Sequence, residues 1–305
     1  MVRYALLFFL WFSSSLLFAQ REQLGFRVEQ FGTARFSNLS SPLLSQQAEL
    51  GAQQAHLNFN FRTILGEEGE TVLYNGFQYR FLRSTFSQVI FPLPALGLYP
   101  YPSTRDYHFL FYDFLVLHSL SDAYTLVATL RPGIFSDFKN ISRDHFRLEG
   151  AFFIDRQMSQ SLTLGLGIAR SSNFGRILLL PIVHVLYFGG SIFMLDILLP
   201  SRAELWFYPT KSLEAGVNIS LSGSQYAIGE ANPLSANQFG FANATISPIV
   251  RYNVFSKLYL SAELGYTFVR RVELVNNRLE GEARFVQQFN PNNIWLLRFG
   301  VQVMY

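Results

Sequence analysis

The sequence contains no cysteine in its 305 residues. That absence excludes disulfides, thiolate metal sites and a lipid-modified cysteine behind a cleaved leader. Charge is scarce too. Asp, Glu, Lys and Arg make up 15% of the chain, where a soluble domain carries about a quarter. The net charge is +3, and setting aside residues 1–19, whose single charged side chain is Arg3, leaves 23 basic against 21 acidic residues. A balance this close offers nothing to nucleic acid or another polyanion. Neither G-x-S-x-G nor H-E-x-x-H occurs, and no glycine loop is spaced to cradle phosphate. The expectation is a protein without cofactor, metal or nucleic-acid partner, and not an enzyme.

What the chain has in plenty is aromatic side chains: 32 Phe and 15 Tyr, within an aromatic share of 16%. So much apolar surface with so little charge exceeds what a globular core hides. Lipid is the obvious place for it. The first residues, MVRYALLFFLWFSSSLLFAQ, read as an export signal: Arg3 is a short basic region, Ala5–Phe12 an apolar one, and Leu17-Phe18-Ala19 precedes a cleavage point. Residues 1–19 are therefore expected to be a signal peptide and residues 20–305 a single domain.

That domain repeats one event, an alternating stretch followed by a turn. HLNFNFRTIL (His56–Leu65) sends Leu57, Phe59, Phe61 and Thr63 one way and His56, Asn58, Asn60 and Arg62 the other. SLTLGLGIAR (Ser161–Arg170), SLEAGVNISLS (Ser212–Ser222) and KLYLSAELGYTF (Lys257–Phe268) behave alike. A period of two means strand, because successive side chains leave opposite faces of the pleat. Strands of soluble sandwiches average about 5–6 residues; these run to ten or more, the length a tilted strand needs to cross a bilayer. Short turns (GEEGE, SLSD, RQMSQ, FGGS, PTKS, NVFS) alternate with long connections at 33–52, 84–105, 137–143, 227–238 and 272–292. Such asymmetry belongs to outer-membrane barrels, with short periplasmic turns and longer extracellular loops. The fold class expected is all-β: a transmembrane antiparallel up-and-down barrel of about fourteen strands, or twelve if 192–208 is built differently. One segment competes. Ile177–Leu195 is nineteen residues without a formal charge and could form a transmembrane helix. Pro181, Gly189-Gly190 and the β-branched residues favour two strands joined at FGGS.

Strand parity assigns a lumen-lining set: Arg62, Arg80, Arg131, Arg147, Arg251 and Arg298 with Glu149, Asp196, Glu204, Glu214 and Glu263. Six bases and five acids are read first as mutual ion pairs, and second as a selectivity ring if one sign clusters at one height. The inward glycines Gly165, Gly167, Gly216, Gly265 and Gly300 suit curvature and close aromatic packing. The five histidines, His56, His108, His118, His145 and His184, are the candidates for catalysis. His118 and Ser119 are neighbours in a strand and face apart. His145 shares parity with Arg147 and Glu149, and Asp106-Tyr107-His108 is a similar cluster; a structural role outweighs a catalytic one for each. IFPLPALGLYPYP (Ile90–Pro102) has no charge and four prolines, which should forbid regular strand there. Phe91, Pro92, Leu93, Pro94, Leu98, Tyr99 and Tyr101 are expected to pack as a lid. The last residues, NIWLLRFGVQVMY, alternate throughout, and Phe299, Val301, Val303 and Tyr305 resemble the C-terminal assembly signal of outer-membrane barrels.

The stretches LVATLRPGIFSDF, FRLEGAFFIDRQMSQSLTLGLGIARSSNFGR and LLPSRAELWFYPTKSLEAGVNISLSGSQY, within Leu126–Tyr226, resemble a family of outer-membrane β-barrel proteins of unknown function from Bacteroidetes-type bacteria. The resemblance implies barrel and location and brings no functional residues with it. The function expected is a passive pore or structural barrel. Its partners are outer-membrane lipid, the barrel-assembly machinery during insertion, and small polar solutes in the lumen. The alternatives are a lipid-modifying enzyme and an adhesive barrel acting through its long loops.

Overall fold

The computed structural model describes residues 22–35, 49–66, 70–87, 90–93, 97–100, 104–172, 174, 177–229, 237–276, 284–289 and 293–304. Seventeen strands occur there. They are β1 (Glu22–Arg35), β2 (Glu49–Leu65), β3 (Thr71–Ser87), β4 (Ile90–Leu93), β5 (Gly97–Pro100), β6 (Thr104–Ser121), β7 (Tyr124–Ser136), β8 (Phe146–Gln157) and β9 (Leu162–Ser171). Then come β10 (Leu178–Gly189), β11 (Phe193–Leu199), β12 (Arg202–Phe207), β13 (Leu213–Ala227), β14 (Gln238–Phe255), β15 (Leu258–Asn276), β16 (Arg284–Phe289) and β17 (Trp295–Met304). Fourteen of them close a ring. Each pairs antiparallel with its sequence neighbour, skipping β4, β5 and β16, and β17 closes against β15 on one side and β1 on the other. β16 only extends the outer end of β15.

Alternation makes these strands and decides which way they face. On β17, Trp295, Leu297, Phe299 and Val301 are exposed on the outside, while Leu296, Arg298 and Gln302 are buried inside. The same outward apolar row recurs on β1 (Leu24, Phe26, Val28), β2 (Leu57, Phe59, Phe61), β9 (Leu164, Leu166, Ile168) and β15 (Leu260, Leu264, Tyr266). Tyrosines mark both rims: Tyr124, Tyr187 and Tyr252 near the short turns, Tyr266 against Trp295 at the other end. An apolar belt with aromatic rims around a closed sheet is how a barrel meets lipid.

The segment 177–195 is two strands. β10 and β11 pair from Val183↔Leu199 to Gly189↔Phe193, and Gly190 takes the left-handed φ of +67° that the intervening turn requires. No helix among the described residues is long and apolar enough to cross a membrane. The prolines of 90–102 do not exclude strand, contrary to the sequence expectation. Ile90–Leu93 pairs with Gly97–Pro100 in a two-stranded hairpin. Pro92 and Pro100 fall on the same parity of that ladder, so neither has to donate if Phe91↔Tyr99 and Leu93↔Gly97 are the hydrogen-bonded pairs. The lid expected of Phe91, Pro92, Leu93, Leu98 and Tyr99 concerns side chains outside the described ones, and Pro94 and Tyr101 lie wholly outside the described residues. So do Tyr305 and the leader.

Strands also run further outward than alternation suggested. β3, β6 and β15 extend into the connections read at 84–105 and 272–292. On β14 and β15 the outer ends are buried on both faces, as Phe239, Phe241, Ala242 and Asn243 are on the one and Val272, Glu273, Leu274 and Val275 on the other. The wall is uneven as well. β11 and β12 have 7 and 6 residues against 19 in β15. Beyond this low hairpin, β7 meets β13 directly. Ser136 and Ala227 pair in parallel, Asp137 N–H donates to the Ala227 carbonyl at 3.3 Å, and Gly229 N–H donates to the Asp137 carboxylate at 3.1 Å. The outer ring is thus smaller than the inner one.

Candidate functional site: the lumen

All eleven charged residues assigned by parity sit on the inward side, but few of them pair with each other. Arg298 joins Glu263, its Nη1 at 2.5 and 2.6 Å from the two carboxylate oxygens, and Arg251 lies 3.5 Å from Glu214. The other partners were not in the assigned set. Arg131 donates to Asp113 at 3.0 Å, and Asp196 accepts from Arg202 at 2.7 Å. Glu204 accepts from the Trp206 indole N–H at 2.9 Å, and Glu149 is held by Ser172 through backbone N–H and hydroxyl. Four arginines of the set lie over rings: Arg62 over Tyr74, Arg80 over Phe109, Arg131 over Phe111, and Arg251 over Trp206 at 3.9 Å from the centroid. Arg147 is partly buried on the same side. Bases and acids interleave rather than segregate into a ring of one sign.

Two clusters organise this layer. In the first, Glu29 on β1, Arg298 on β17 and Glu263 on β15 stand directly opposite one another in register. Arg298 Nε donates to Glu29 at 2.8 Å, His56 lies 3.4 Å from the same oxygen, and the Ser247 hydroxyl donates to Glu263. In the second, His184 Nδ1 is 2.8 Å from Asp155 and its Nε2 is 3.6 Å from Asp196, which Arg202 completes. Asp155 on β8 and His184 on β10 are separated by β9, and the residue between them is Gly165. A Cβ there would overlap the Asp155 carboxylate and crowd the His184 Cβ. Glycine is what lets the pair reach across a strand. Gly165→Ala is expected to cost about 1–3 kcal/mol by overpacking, read as a lower urea midpoint in detergent; an unchanged midpoint would mean Asp155 swings aside freely. Gly216 plays the other expected role, with the Trp206 ring lying against it.

Above the charged layer, towards the long loops, aromatic and aliphatic side chains dominate the lumen. Tyr107 stacks on Phe239 at 4.6 Å and 5° and tilts on Tyr226 at 5.1 Å. Phe109 contacts Phe135, and Phe31 meets Phe241 edge-on at 6.1 Å. Leu50, Leu82, Val272, Leu274 and Leu296 fill in around them, all buried. Parity reading missed this layer, because in HFLFYDFLVL both faces are apolar and the contrast that marks the inside is gone.

The histidine clusters come apart. Asp106 forms a bidentate pair with Arg83, 2.8 Å for each bond, and His108 meets the Tyr79 hydroxyl at 2.7 Å, while Tyr107 points inward to the aromatic layer. His118 meets Thr71 at 2.8 Å. His145 lies in a short turn at Arg143–His145, its Nδ1 2.5 Å from the Ser136 hydroxyl, with both residues buried. Among the described residues no group of three or more His, Asp or Glu is placed to hold a metal ion. Phe299 and Val301 of the C-terminal motif face outward.

A closed antiparallel ring with an apolar exterior and a charged, partly plugged interior defines a transmembrane β-barrel. A family described as Domain of unknown function (DUF6268) matches residues 113–302, and the chain belongs to that family. No curated protein matches it by sequence. Among solved structures it is similar to the COG4313 outer membrane channel from Pseudomonas putida F1, with TM-score 0.43 and 10% identity over 92% of this chain and 96% of that one. It is similar also to the TodX monoaromatic hydrocarbon channel deltaS2 mutant, with TM-score 0.39 and 7% identity over 92% and 89%. For the NanC porin the values are 0.38 and 9% over 92% and 100%.

Proposed function

We propose that this protein is an outer-membrane barrel that passes small polar solutes without catalysing a reaction, and that its outer lumen is closed at rest. The observation carrying this reading is the aromatic layer of Tyr107, Phe109, Phe135, Tyr226, Phe239 and Phe241 lying across the lumen above a charge-lined middle. A general diffusion porin keeps a water-filled channel. An apolar constriction instead closes a path by excluding water and ions until it parts. Burial of Ser136 and His145, at 0% and 2% exposure, supports a non-catalytic role, since a substrate has no way to their shared proton. Residues 1–19 act as the export signal, the barrel-assembly machinery inserts the domain, and the apolar belt sits in outer-membrane lipid of a Bacteroidetes-type bacterium. The charged residues assigned by parity line the solute path below the aromatic layer.

Conductance in planar bilayers tests the reading. Wild-type protein should be closed with rare openings, and Tyr107→Ala combined with Phe239→Ala should give sustained current steps. A correctly folded double variant that stays silent at every voltage would leave a structural barrel and remove the passage.

A further inference from the structure

Arg270 stands on β15 directly opposite Asn243 on β14, both facing the lumen within the aromatic layer. Arg270 is 3% exposed and Asn243 is 0% exposed. Neither side chain has a polar partner: all three guanidinium nitrogens, the Asn243 amide nitrogen and its oxygen are buried without a hydrogen bond. What Arg270 does touch is aromatic. Its guanidinium carbon lies 5.5 Å from the ring centroids of both Phe31 and Phe241. Arg298, Arg131 and Arg202, by contrast, each have a carboxylate beside them, and among the described arginines only Arg270 has all three guanidinium nitrogens buried without a hydrogen bond.

A buried guanidinium without a counter-charge is strongly unfavourable, and native proteins leave such groups unsatisfied only where something else completes them. We infer that Arg270 and Asn243 form a binding site for a monovalent organic carboxylate with an apolar body. The guanidinium fork matches a carboxylate with two parallel hydrogen bonds, and the Asn243 amide nitrogen supplies a third donor. One cation calls for one negative charge. The rings of Phe31 and Phe241, with Val272 and Leu274 beside them, suit an apolar body and penalise a hydrated inorganic ion. This goes beyond the passage reading, because it concerns what the lumen holds whether or not the ligand crosses.

Titration calorimetry on the purified full-length barrel in a neutral detergent tests it, with benzoate and octanoate as probes, benzamide as the uncharged control and chloride as the inorganic one. Saturable binding of at least one carboxylate is expected, with benzamide and chloride far weaker. Arg270→Met should weaken it by on the order of tenfold or more, as loss of a charged hydrogen bond does. Thermal unfolding without added probe guards against misfolding. Arg270→Met removes an uncompensated charge, so its midpoint should equal or exceed that of wild type. The site is overturned by carboxylate binding that survives Arg270→Met, by no saturable carboxylate binding, by chloride binding alone, or by a large drop in the ligand-free midpoint of Arg270→Met.

Discussion

Arg298→Leu is expected to destabilise the barrel by about 3–5 kcal/mol, the cost of breaking a buried ion pair from one side. Arg298 is 7% exposed and serves two carboxylates at once, Glu29 at 2.8 Å and Glu263 at 2.5 and 2.6 Å. Those three residues belong to β1, β17 and β15, the strands that close the ring. Without the guanidinium, two acids are left facing each other in a low-dielectric interior at the seam. Leucine restores neither the charge nor the hydrogen bonds. Combining it with Glu29→Gln and Glu263→Gln should recover much of the loss, since the remaining groups are then neutral and can bond to each other. Arg298→Lys should fall between, because an ammonium carries the charge and lacks the fork that spans both partners. The measurement is the urea midpoint in detergent, checked by the temperature at which the compact gel band gives way to the unfolded one. A single Arg298→Leu variant that unfolds at the wild-type midpoint would show that the seam does not depend on this pair.

The same triad shows where reading the sequence stops. Glu263 and Arg298 are both inward by parity, because each lies between apolar neighbours on its own strand. Glu29 was passed over, although EQLGFRVEQF alternates, and their meeting depends on the register between strands far apart in sequence. Asp155 and His184 make the point more sharply. Neither was assigned to the lumen, and they join across Gly165, a residue whose sequence signal is only that it is small. Periodicity reports the face a side chain leaves from; it carries no information about its height in the barrel. The number of strands and the apolar exterior were legible because they depend on periodicity alone. The aromatic layer was not, since an inward Phe109 beside an outward Leu110 has no polarity contrast to read. Both-sided burial hid the outer end of β15 for the same reason.

Leu166→Arg tests the medium around the barrel, and the expected cost is about 2–4 kcal/mol, the penalty for arginine on a lipid-facing barrel surface near the midplane. Leu166 lies in the middle of β9 and is 71% exposed on the outside. In a barrel surrounded by water, the change would be nearly neutral or favourable, because a large apolar side chain at the surface is replaced by one that water solvates. In lipid, the guanidinium must be dragged into hydrocarbon or must snorkel to a rim. The sign of the effect therefore identifies the solvent. Folding should be measured into lipid bilayers rather than micelles, with Lys211→Ala in the exposed turn after β12 as a control that stays within about 0.5 kcal/mol of wild type. Moving the same substitution to Ile168 and then to Leu164 should lower the cost at whichever position lies closer to a rim, since the penalty falls from the midplane towards the interfaces. A cost that is absent at Leu166, or that does not vary along β9, would mean that the apolar belt does not face a membrane and that some other apolar surface covers it.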